Sequence, residues 1–361
     1  MNRLVLIGNG FDLAHGLKTS YADFINWYWC EWGKRLLTGN HDIESDELCS
    51  FILKPTEFYS TWYQFWIGPY MKKPNPFAPW NPKDIVRIAK ENNRICLLKY
   101  TTHFFEQINN NIETKGWVDI EDEYYSMLVR EKDYGDRVRT LNKQLDFLRE
   151  KLVEYLTVAS QMKTTKIEGI TEKIYCPVGL REIAVEKRKE LTLKKGFPVR
   201  NIMLLNFNYT STPERYMEGH SNVTINYIHG RLDNPQSVIF GYGDELDKNY
   251  SGLKEQNNNE CLRHVKAINY LESDNYRKVL EFIESDQFQI CIMGHSCGRS
   301  DRTLLNTLFE HPNCVSIKPY YYIDNNGEDH YRELTQNIHR NFTDRKLMRD
   351  RVVNKTYTEP L

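Results

Sequence analysis

The chain has 361 residues, 40% hydrophobic and 13% aromatic, which is enough to bury a sizeable core. Its 48 lysine and arginine residues balance 49 aspartate and glutamate residues, which argues against a dedicated nucleic-acid binder, since such proteins carry a basic excess. None of the eight cysteines belongs to a C-x-x-C pair, so we expect no metal site. No run of 18 apolar residues occurs, so we expect no membrane span.

A short apolar strand is predicted at residues 3–7, followed by the glycine turn Gly8-Asn9-Gly10 and a helical pattern to about residue 25. A strand, a glycine turn and a helix in this order are typical of the start of a doubly wound α/β sheet. Because the chain begins directly with this strand rather than with a basic leader and a long apolar segment, we predict a cytoplasmic location.

From residue 26 to residue 198 the pattern changes. This stretch contains a proline-rich segment at 72–84 and amphipathic runs, the clearest of which places apolar residues on one helix face from Val138 to Tyr155. We predict a large, mainly helical insertion at 26–198, after the first strand–helix unit. Packing of helix on helix is the favoured use of its apolar faces, and a partner surface is the alternative.

Strands return at 202–206, 223–228, 237–240, 289–293 and 315–323, with helices at about 260–286, 301–311 and 330–341. Buried apolar strands alternating with helices favour a mostly parallel sheet covered on both faces. The predicted fold is therefore a doubly wound, Rossmann-like α/β core made of residues 1–25 and 199–342. Residues 343–361 are polar, and we expect them to form a frayed C-terminal tail.

The predicted strand ends carry glycine and polar residues. These segments are GNGFDLAHG (8–16), NFNYT (206–210), IHG (228–230), FGYGDE (240–245) and GHSCGRSD (294–301). Ligands of open α/β sheets bind beyond the carboxyl ends of the strands, so together the five loops predict a ligand site. Each loop alone is weak evidence. Leu13 stands where the dinucleotide-binding pattern G-x-G-x-x-G requires its third glycine, and His229 and Asn208 could be structural turn residues.

Gly294-His-Ser-Cys-Gly298 also matches the G-x-S-x-G pattern of serine hydrolases. Ser296 would then be the nucleophile, with Asp324 as the acid and His330 or His339 as the base. That interpretation gives the other strand-end loops no role. We therefore favour a ligand-contacting loop, in which Asp301 is the first-turn acid of the next helix, and keep the hydrolase as an alternative.

The strand-end motifs resemble those of the bacteriophage abortive-infection AbiH family, from residue 4 to about residue 322. The matching stretches are LVLIGNGFDLAHGLKTSYADF, GWVDIE, NFNYT, YIHG, VIFGYGDE and IMGHSCGRSDRTLLNTLFEH. This resemblance implies an antiphage defence protein. A phage-derived trigger or protein partner, and an oligomer, would fit such a role.

The motif order also resembles that of the sirtuin-type NAD-binding core. The resemblance implies His229 and Asn208 as catalytic residues. It implies nucleotide contacts at Gly8, Asn9, Gly10, Phe11, Asp12, Tyr209, Gly241, Gly294, Ser296 and Asp301. The chain departs from sirtuin deacylases because it has no four-cysteine zinc module and because Ile25 follows Asp23-Phe24 where arginine is expected, so acyl-lysine chemistry is not implied.

The implied reaction is hydrolysis of NAD to ADP-ribose and nicotinamide. A nucleotide-sensing module that acts through a partner, without turnover, is the alternative. Asp12, Asp244 and Glu245 could stabilise positive charge on the ribose or could be turn and capping residues. Asp119 and Glu121 could line the same cleft or could form an exposed acidic turn.

Overall fold

The computed structural model describes residues 1–38, 43–53, 96–115, 119–188 and 196–361, which form two compact units. The sheet unit contains Met1–Thr19 and Leu156–Leu361, and the insertion unit contains Ser20–Tyr155. Residues 156–188 and 196–198, expected to belong to the insertion, group with the sheet unit. The proline-rich segment 72–84 and residues 116–118 of the GWVDIE motif lie outside the described residues.

The described helices and strands follow in chain order. The helices are α1 (Asn9–Ala14), α2 (Tyr21–Thr38), α3 (His103–Lys115), α4 (Ile120–Glu131), α5 (Gly135–Ala159), α6 (Glu168–Tyr175), α7 (Tyr250–Lys254), α8 (Lys266–Asn269), α9 (Asn275–Ser285), α10 (Arg302–Phe309), α11 (Tyr331–Asn341) and α12 (Arg345–Arg351). The strands are β1 (Asn2–Ile7), β2 (Ile43–Ser45), β3 (Cys49–Leu53), β4 (Cys96–Tyr100), β5 (Val178–Gly179), β6 (Gly196–Phe197), β7 (Ile202–Asn206), β8 (Val223–Tyr227), β9 (Phe288–Met293) and β10 (Cys314–Tyr320).

The sheet unit is built on five parallel strands in the order β10-β9-β1-β7-β8. β1 lies at the centre, where Val5 is opposite Leu204 of β7 and Cys291 of β9. The α/β class and the mostly parallel sheet are thus confirmed. The chain adds β7 and β8 on one side of β1 and then β9 and β10 on the other. The strand order therefore reverses between β1 and β9, the position where open α/β sheets form a ligand crevice.

Both faces of this sheet are covered. Side chains alternate along a strand, so Leu4 and Leu6 pack in a cluster with residues of α9, α10 and α11, whereas Val5 and Ile7 pack with residues of α1 and α6. A strand buried on both faces needs a continuous apolar sequence rather than an alternating one. This requirement explains the apolar runs within these strands, which are Leu4–Ile7 in β1, Ile202–Leu205 in β7 and Ile290–Met293 in β9.

The insertion unit combines the predicted helices with a small sheet. The apolar stripe from Val138 to Tyr155 lies on α5 and is buried, which confirms the helical prediction. An antiparallel sheet in the order β2-β3-β4 was not predicted. β3 and β4 are separated by more than 40 residues of chain, so no hairpin signal marks their pairing.

The strand predicted at 237–240 is wrong, because these residues join no sheet. The amide N–H of Ile239 donates to the carbonyl of His229 (2.9 Å), and the hydroxyl of Tyr209 donates to the carbonyl of Ile239 (3.1 Å). A turn and a side chain thus satisfy backbone groups that a ladder would otherwise pair.

The C-terminal residues 343–361 are ordered against the sheet unit rather than frayed. They include α12, and Val352 and Val353 are buried. The N–H of Val353 donates to the carbonyl of Ile317 on β10 (2.8 Å). The polar composition of residues 343–361 did not indicate this contact, because two buried apolar side chains and one backbone hydrogen bond are enough to dock a short segment.

Candidate functional site

The loops that follow β1 and β9 meet backbone to backbone. The N–H of Gly10 donates to the carbonyl of Gly294 (2.8 Å), and the N–H of Gly8 donates to the carbonyl of Met293 (3.3 Å). A Cβ on Gly8 would lie 2.5 Å from the Cα of His295. These glycines therefore allow two loops to touch, and the two amides predicted to bind a pyrophosphate are already bonded within the protein.

Gly294 gives a direct test of this contact. Its φ is +73°, and a Cβ there would lie 2.0 Å from the backbone nitrogen of Phe11. We expect Gly294→Ala to be less stable than Gly327→Ala by about 1–3 kcal/mol in urea unfolding. Gly327 is the matched control because its φ is +81° and a Cβ at this position would meet no atom within 4 Å. Equal losses in the two variants would contradict close packing of the loops.

A buried charged cluster lies beside this loop contact. Oδ1 of Asp301 is 2.8 Å from Nζ of Lys266 and 3.3 Å from Nε2 of His229, and Oδ2 is 3.4 Å from Nε2 of His295. Lys266 is only 1% exposed and the other three side chains are 5–11% exposed. We refer to these four residues as the Asp301 cluster. It joins loops that follow β8 and β9 to the start of α8.

Further contacts fix the two imidazole rings. Nδ1 of His295 accepts a hydrogen bond from the N–H of Cys297 (3.0 Å), so its proton is on Nε2, which faces Asp301. The hydroxyl of Tyr270 lies 3.1 Å from Nε2 of His229. The ring of Phe207, just after β7, packs against both histidines at centroid distances of 4.1 and 5.3 Å. Both rings are therefore held in defined orientations.

Burial and the Lys266 charge control protonation in the cluster. Burial lowers the pKa of His229 below its ordinary 6.5, the Lys266 ammonium lowers it further, and Asp301 only partly opposes them. Burial alone would raise the pKa of Asp301, but Lys266 and His229 hold it well below its ordinary value. At neutral pH the cluster therefore contains an ionised aspartate, a charged lysine and a neutral His229. A neutral imidazole held by a carboxylate is suited to accept a proton.

A second buried carboxyl lies near the carboxyl end of β7. Oδ2 of Asp12 accepts a hydrogen bond from the Thr210 hydroxyl (2.7 Å). Among the described residues, Oδ1 of Asp12 has no hydrogen-bond partner. Burial raises the pKa of Asp12 to about 6, although the Thr210 bond opposes the shift. Nearby, the side-chain amide of Asn208 donates to the carbonyl of Gly8 (2.9 Å), which ties β7 to the loop after β1.

The pKa of Asp12 predicts a pH-dependent stability. The folded state keeps a proton up to about pH 6, whereas the unfolded chain loses it near 3.8, so this group's contribution to stability falls as pH rises through that window. We expect Asp12→Asn to gain stability relative to wild type by up to about 3 kcal/mol between pH 4 and pH 7. Urea midpoints at both pH values measure the effect. Asp324→Asn is the control, because Asp324 is exposed and its pKa is lowered. A pH-independent difference for Asp12→Asn would contradict the assignment.

The other predicted contacts are distributed around the same rim. The side-chain oxygen of Asn9 accepts a hydrogen bond from the Thr19 hydroxyl, and Phe11 is buried against Tyr216. A Cβ on Gly241 would lie 2.1 Å from the carbonyl of His264, so this glycine permits a close backbone approach. Ser296 is exposed. The structure thus brings His229 to Asp301 but does not bring Asn208 into the cluster.

Comparison with known proteins decides the family. The model of the family described as "Bacteriophage abortive infection AbiH" matches residues 4–322. The chain belongs to the AbiH family. Membership places it among proteins associated with abortive infection of phage-infected cells. No curated protein and no solved structure matches the AbiH chain. In its described residues, no helix has the length and apolarity needed to cross a membrane.

The AbiH chain does not assemble the serine-hydrolase triad in this structure. The strained residue of the loop is Cys297, with φ of +55°, rather than Ser296. The Asp324 carboxylate accepts hydrogen bonds from the backbone of its own turn at Asn326 and Glu328. His330 lies 2.8 Å from Glu333. The predicted acid and one of the predicted bases are therefore engaged elsewhere.

Three acidic candidates of the AbiH chain have local partners. Asp244 lies 3.3 Å from Arg302. The carboxylate of Glu245 accepts a hydrogen bond from the Tyr250 hydroxyl (3.1 Å). Asp119 caps the N-terminus of α4 by accepting hydrogen bonds from two amides. Capping is the ordinary use of an aspartate at that position.

Sequence reasoning missed Lys266, His295 and Tyr270 of the AbiH chain. His295 carries a usable signal, because it follows the end of β9 almost as His229 follows the end of β8. Lys266 carries no such signal, because a lysine next to apolar residues, as in Val265-Lys-Ala-Ile268, is also typical of many surface helices. Asp301 is the N-cap residue of α10, directly before Arg302, but its carboxylate makes no capping bond there and instead contacts Lys266.

Proposed function

We propose that this AbiH protein defends against phage by hydrolysing NAD to ADP-ribose and nicotinamide, with a sirtuin-like, Rossmann-like core and with His229 as the general base. The observation that carries the proposal is the pair formed by His229 and Asp301 at the carboxyl rim of the parallel sheet. A base oriented by a carboxylate is the arrangement that proton transfer requires. The strand order, which reverses beside this pair, supports a nucleotide ligand.

The reaction needs little acid assistance, because the nicotinamide of NAD leaves as a neutral molecule. The ribose–nitrogen bond breaks, its electron pair goes to the ring nitrogen, and positive charge develops on the ribose. Water then adds to the ribose carbon, and its proton goes to a base. Since Asp301 faces Nε2 of His229, the tautomer with the proton on Nε2 is favoured, and Nδ1 is the nitrogen that accepts this proton. Asn208 would orient the water or the ribose hydroxyls.

The cluster is closed to a large substrate in this conformation. His229 is 4% exposed and His295 is 6% exposed. NAD would reach His229 only after the covering loops move. A closed resting site supports activation by a phage-derived trigger, since uncontrolled NAD hydrolysis would harm the host.

Nicotinamide release tests the proposal. Purified protein is incubated with NAD and the products are separated by chromatography, and cellular NAD is followed during infection to include a triggered state. The proposal expects release of nicotinamide and ADP-ribose in equal amounts, and retention of this activity in Ser296→Ala. Unchanged NAD both in vitro and in infected cells that show defence would overturn it. Loss of activity in Ser296→Ala alone would favour the serine hydrolase.

A nucleotide-binding module without turnover is the second candidate. It is favoured by the burial of His229, which keeps the proposed base away from a ligand bound at the rim. This candidate expects measurable NAD affinity, no product formation, and defence that is unaffected by replacement of His229. The two candidates therefore differ in the same pair of assays.

A further inference from the structure

A cavity of about 310 Å³ opens outside the Asp301 cluster. Its lining residues come from the FGYGDE loop region, the start of α10, the end of α11 and the start of α12. They are Asp244, Asp247, Arg299, Arg302, His339, Arg340, Phe342 and Arg345. Four arginines outnumber two aspartates, so the cavity is positively charged even before His339 is considered. We refer to it as the arginine pocket.

The cations of the arginine pocket are arginines rather than lysines. A guanidinium is planar and presents paired N–H donors, and this geometry matches phosphoryl oxygens. Arg299 and Arg345, in the part of the chain that the structure describes, form no ion pair with a carboxylate. Neither guanidinium is therefore in contact with a carboxylate of the described residues, although the charge of Arg299 acts to lower the pKa of Asp244.

Arg302 adds a second indication. Its Nη1 is 3.3 Å from both carboxylate oxygens of Asp244, so one nitrogen makes two long contacts in place of the two parallel bonds of an arginine fork. Its Nε is buried and has no hydrogen-bond partner among the described residues. Leaving a buried donor without an acceptor is unfavourable. An anion that drew the fork away from Asp244 would supply the missing acceptor.

The size of the pocket limits the ligand. Small-molecule sites span about 300–1,000 Å³, so a pocket of about 310 Å³ accepts a short phosphate chain rather than an entire dinucleotide. We propose that the arginine pocket binds the phosphate chain of a small ligand with at least two linked phosphoryl groups. Such a chain belongs either to a nucleoside polyphosphate, whose base lies outside the pocket, or to inorganic polyphosphate.

The position of the pocket makes this site distinct from the Asp301 cluster. Arg299 begins the short turn Arg299–Asp301 and Arg302 follows it, and the carboxylate of Asp301 contacts Lys266. Adjacent residues of one turn thus serve two sites. The binding proposal does not depend on NAD hydrolysis, because a ligand can be measured in the arginine pocket whether or not His229 is catalytic.

Isothermal titration of the full-length protein with pyrophosphate, tripolyphosphate, ADP and ATP tests the site. We expect binding that weakens with salt, and a loss of at least about tenfold in affinity in Arg299→Gln and in Arg345→Gln. The matched control is Arg349→Gln, because Arg349 is exposed on α12, the same helix as Arg345, but does not line the pocket. The control is expected to change affinity less than twofold.

The ligands separate the two sources of the phosphate chain. Tighter binding of ATP than of tripolyphosphate assigns the site to a nucleotide, and equal binding assigns it to the phosphate chain alone. Absence of binding by all four ligands at millimolar concentration would overturn the proposal. So would equal affinities in the two pocket variants and in Arg349→Gln, provided that thermal unfolding confirms that all three are folded.

Discussion

Replacing His229 with glutamine is expected to lower the rate of nicotinamide release at least about 100-fold, which is the usual minimum contribution of a general base. Glutamine can still donate a hydrogen bond towards Asp301, but it has no basic nitrogen. The change therefore removes proton acceptance while it preserves one contact of the cluster. Single-turnover rates and urea midpoints, measured on the same preparations, separate lost chemistry from lost folding.

The pH profile provides the second readout for this variant. Because burial and Lys266 lower the pKa of His229, the acidic limb of kcat/KM in wild type is expected below pH 6.5. That limb should be absent from the residual activity of His229→Gln. His330→Gln is the control, since His330 is 38% exposed and lies against Glu333, away from the cluster. A folded His229→Gln protein with activity within about threefold of wild type would remove His229 from the mechanism.

Replacing Lys266 with methionine is expected to destabilise the protein by about 3–5 kcal/mol, because it leaves Asp301 buried without its lysine. Methionine has a similar length, so the loss reports charge rather than a cavity. At lower pH, protonation of His229 would partly compensate Asp301, and the deficit should shrink. Urea unfolding at about pH 6 and pH 8 measures both effects.

The double variant Lys266→Met/Asp301→Asn separates charge from packing. With both charges removed, most of the lost stability should return, since replacing an entire buried ion pair costs far less than breaking it. Lys278→Met, which removes an exposed lysine paired with Asp274, is the control and should change stability little. A double variant no more stable than Lys266→Met would contradict an ionised Asp301 at this position.

Local patterns predicted the framework of the molecule. The apolar runs within β1, β7 and β9 end at glycine or polar residues, and the spacing of apolar residues from Val138 to Tyr155 is that of one face of a helix. The pairing of β3 with β4 was not predictable, because it depends on contacts across more than 40 residues. The short apolar run at 237–240 resembles a strand, but the turn at Gly230 gives its backbone other partners.

The candidate site was predictable only where the chain places polar residues at strand ends. His229 was identified in this way, and Asp301 was identified with a different role. The pairing of Asp301 with Lys266 depends on the fold, because 35 residues separate them and neither side chain looks buried in the sequence. The amides of Gly8 and Gly10 were predicted to bind phosphate. That prediction did not allow for the close approach of the Gly294 backbone, which is possible because Gly294, like them, has no Cβ.

The central position of β1 has a consequence for synthesis of the protein. β1 is made first, yet its neighbours β7 and β9 end at Asn206 and Met293. At the usual 5–20 residues per second, the ribosome completes β7 about 10–40 s after β1. During that interval Leu4, Val5 and Leu6 are an apolar segment of the nascent chain without the neighbouring strands that later pair with it. Chaperone binding to Asn2–Ile7 on the emerging chain would protect the strand on which the sheet is later assembled.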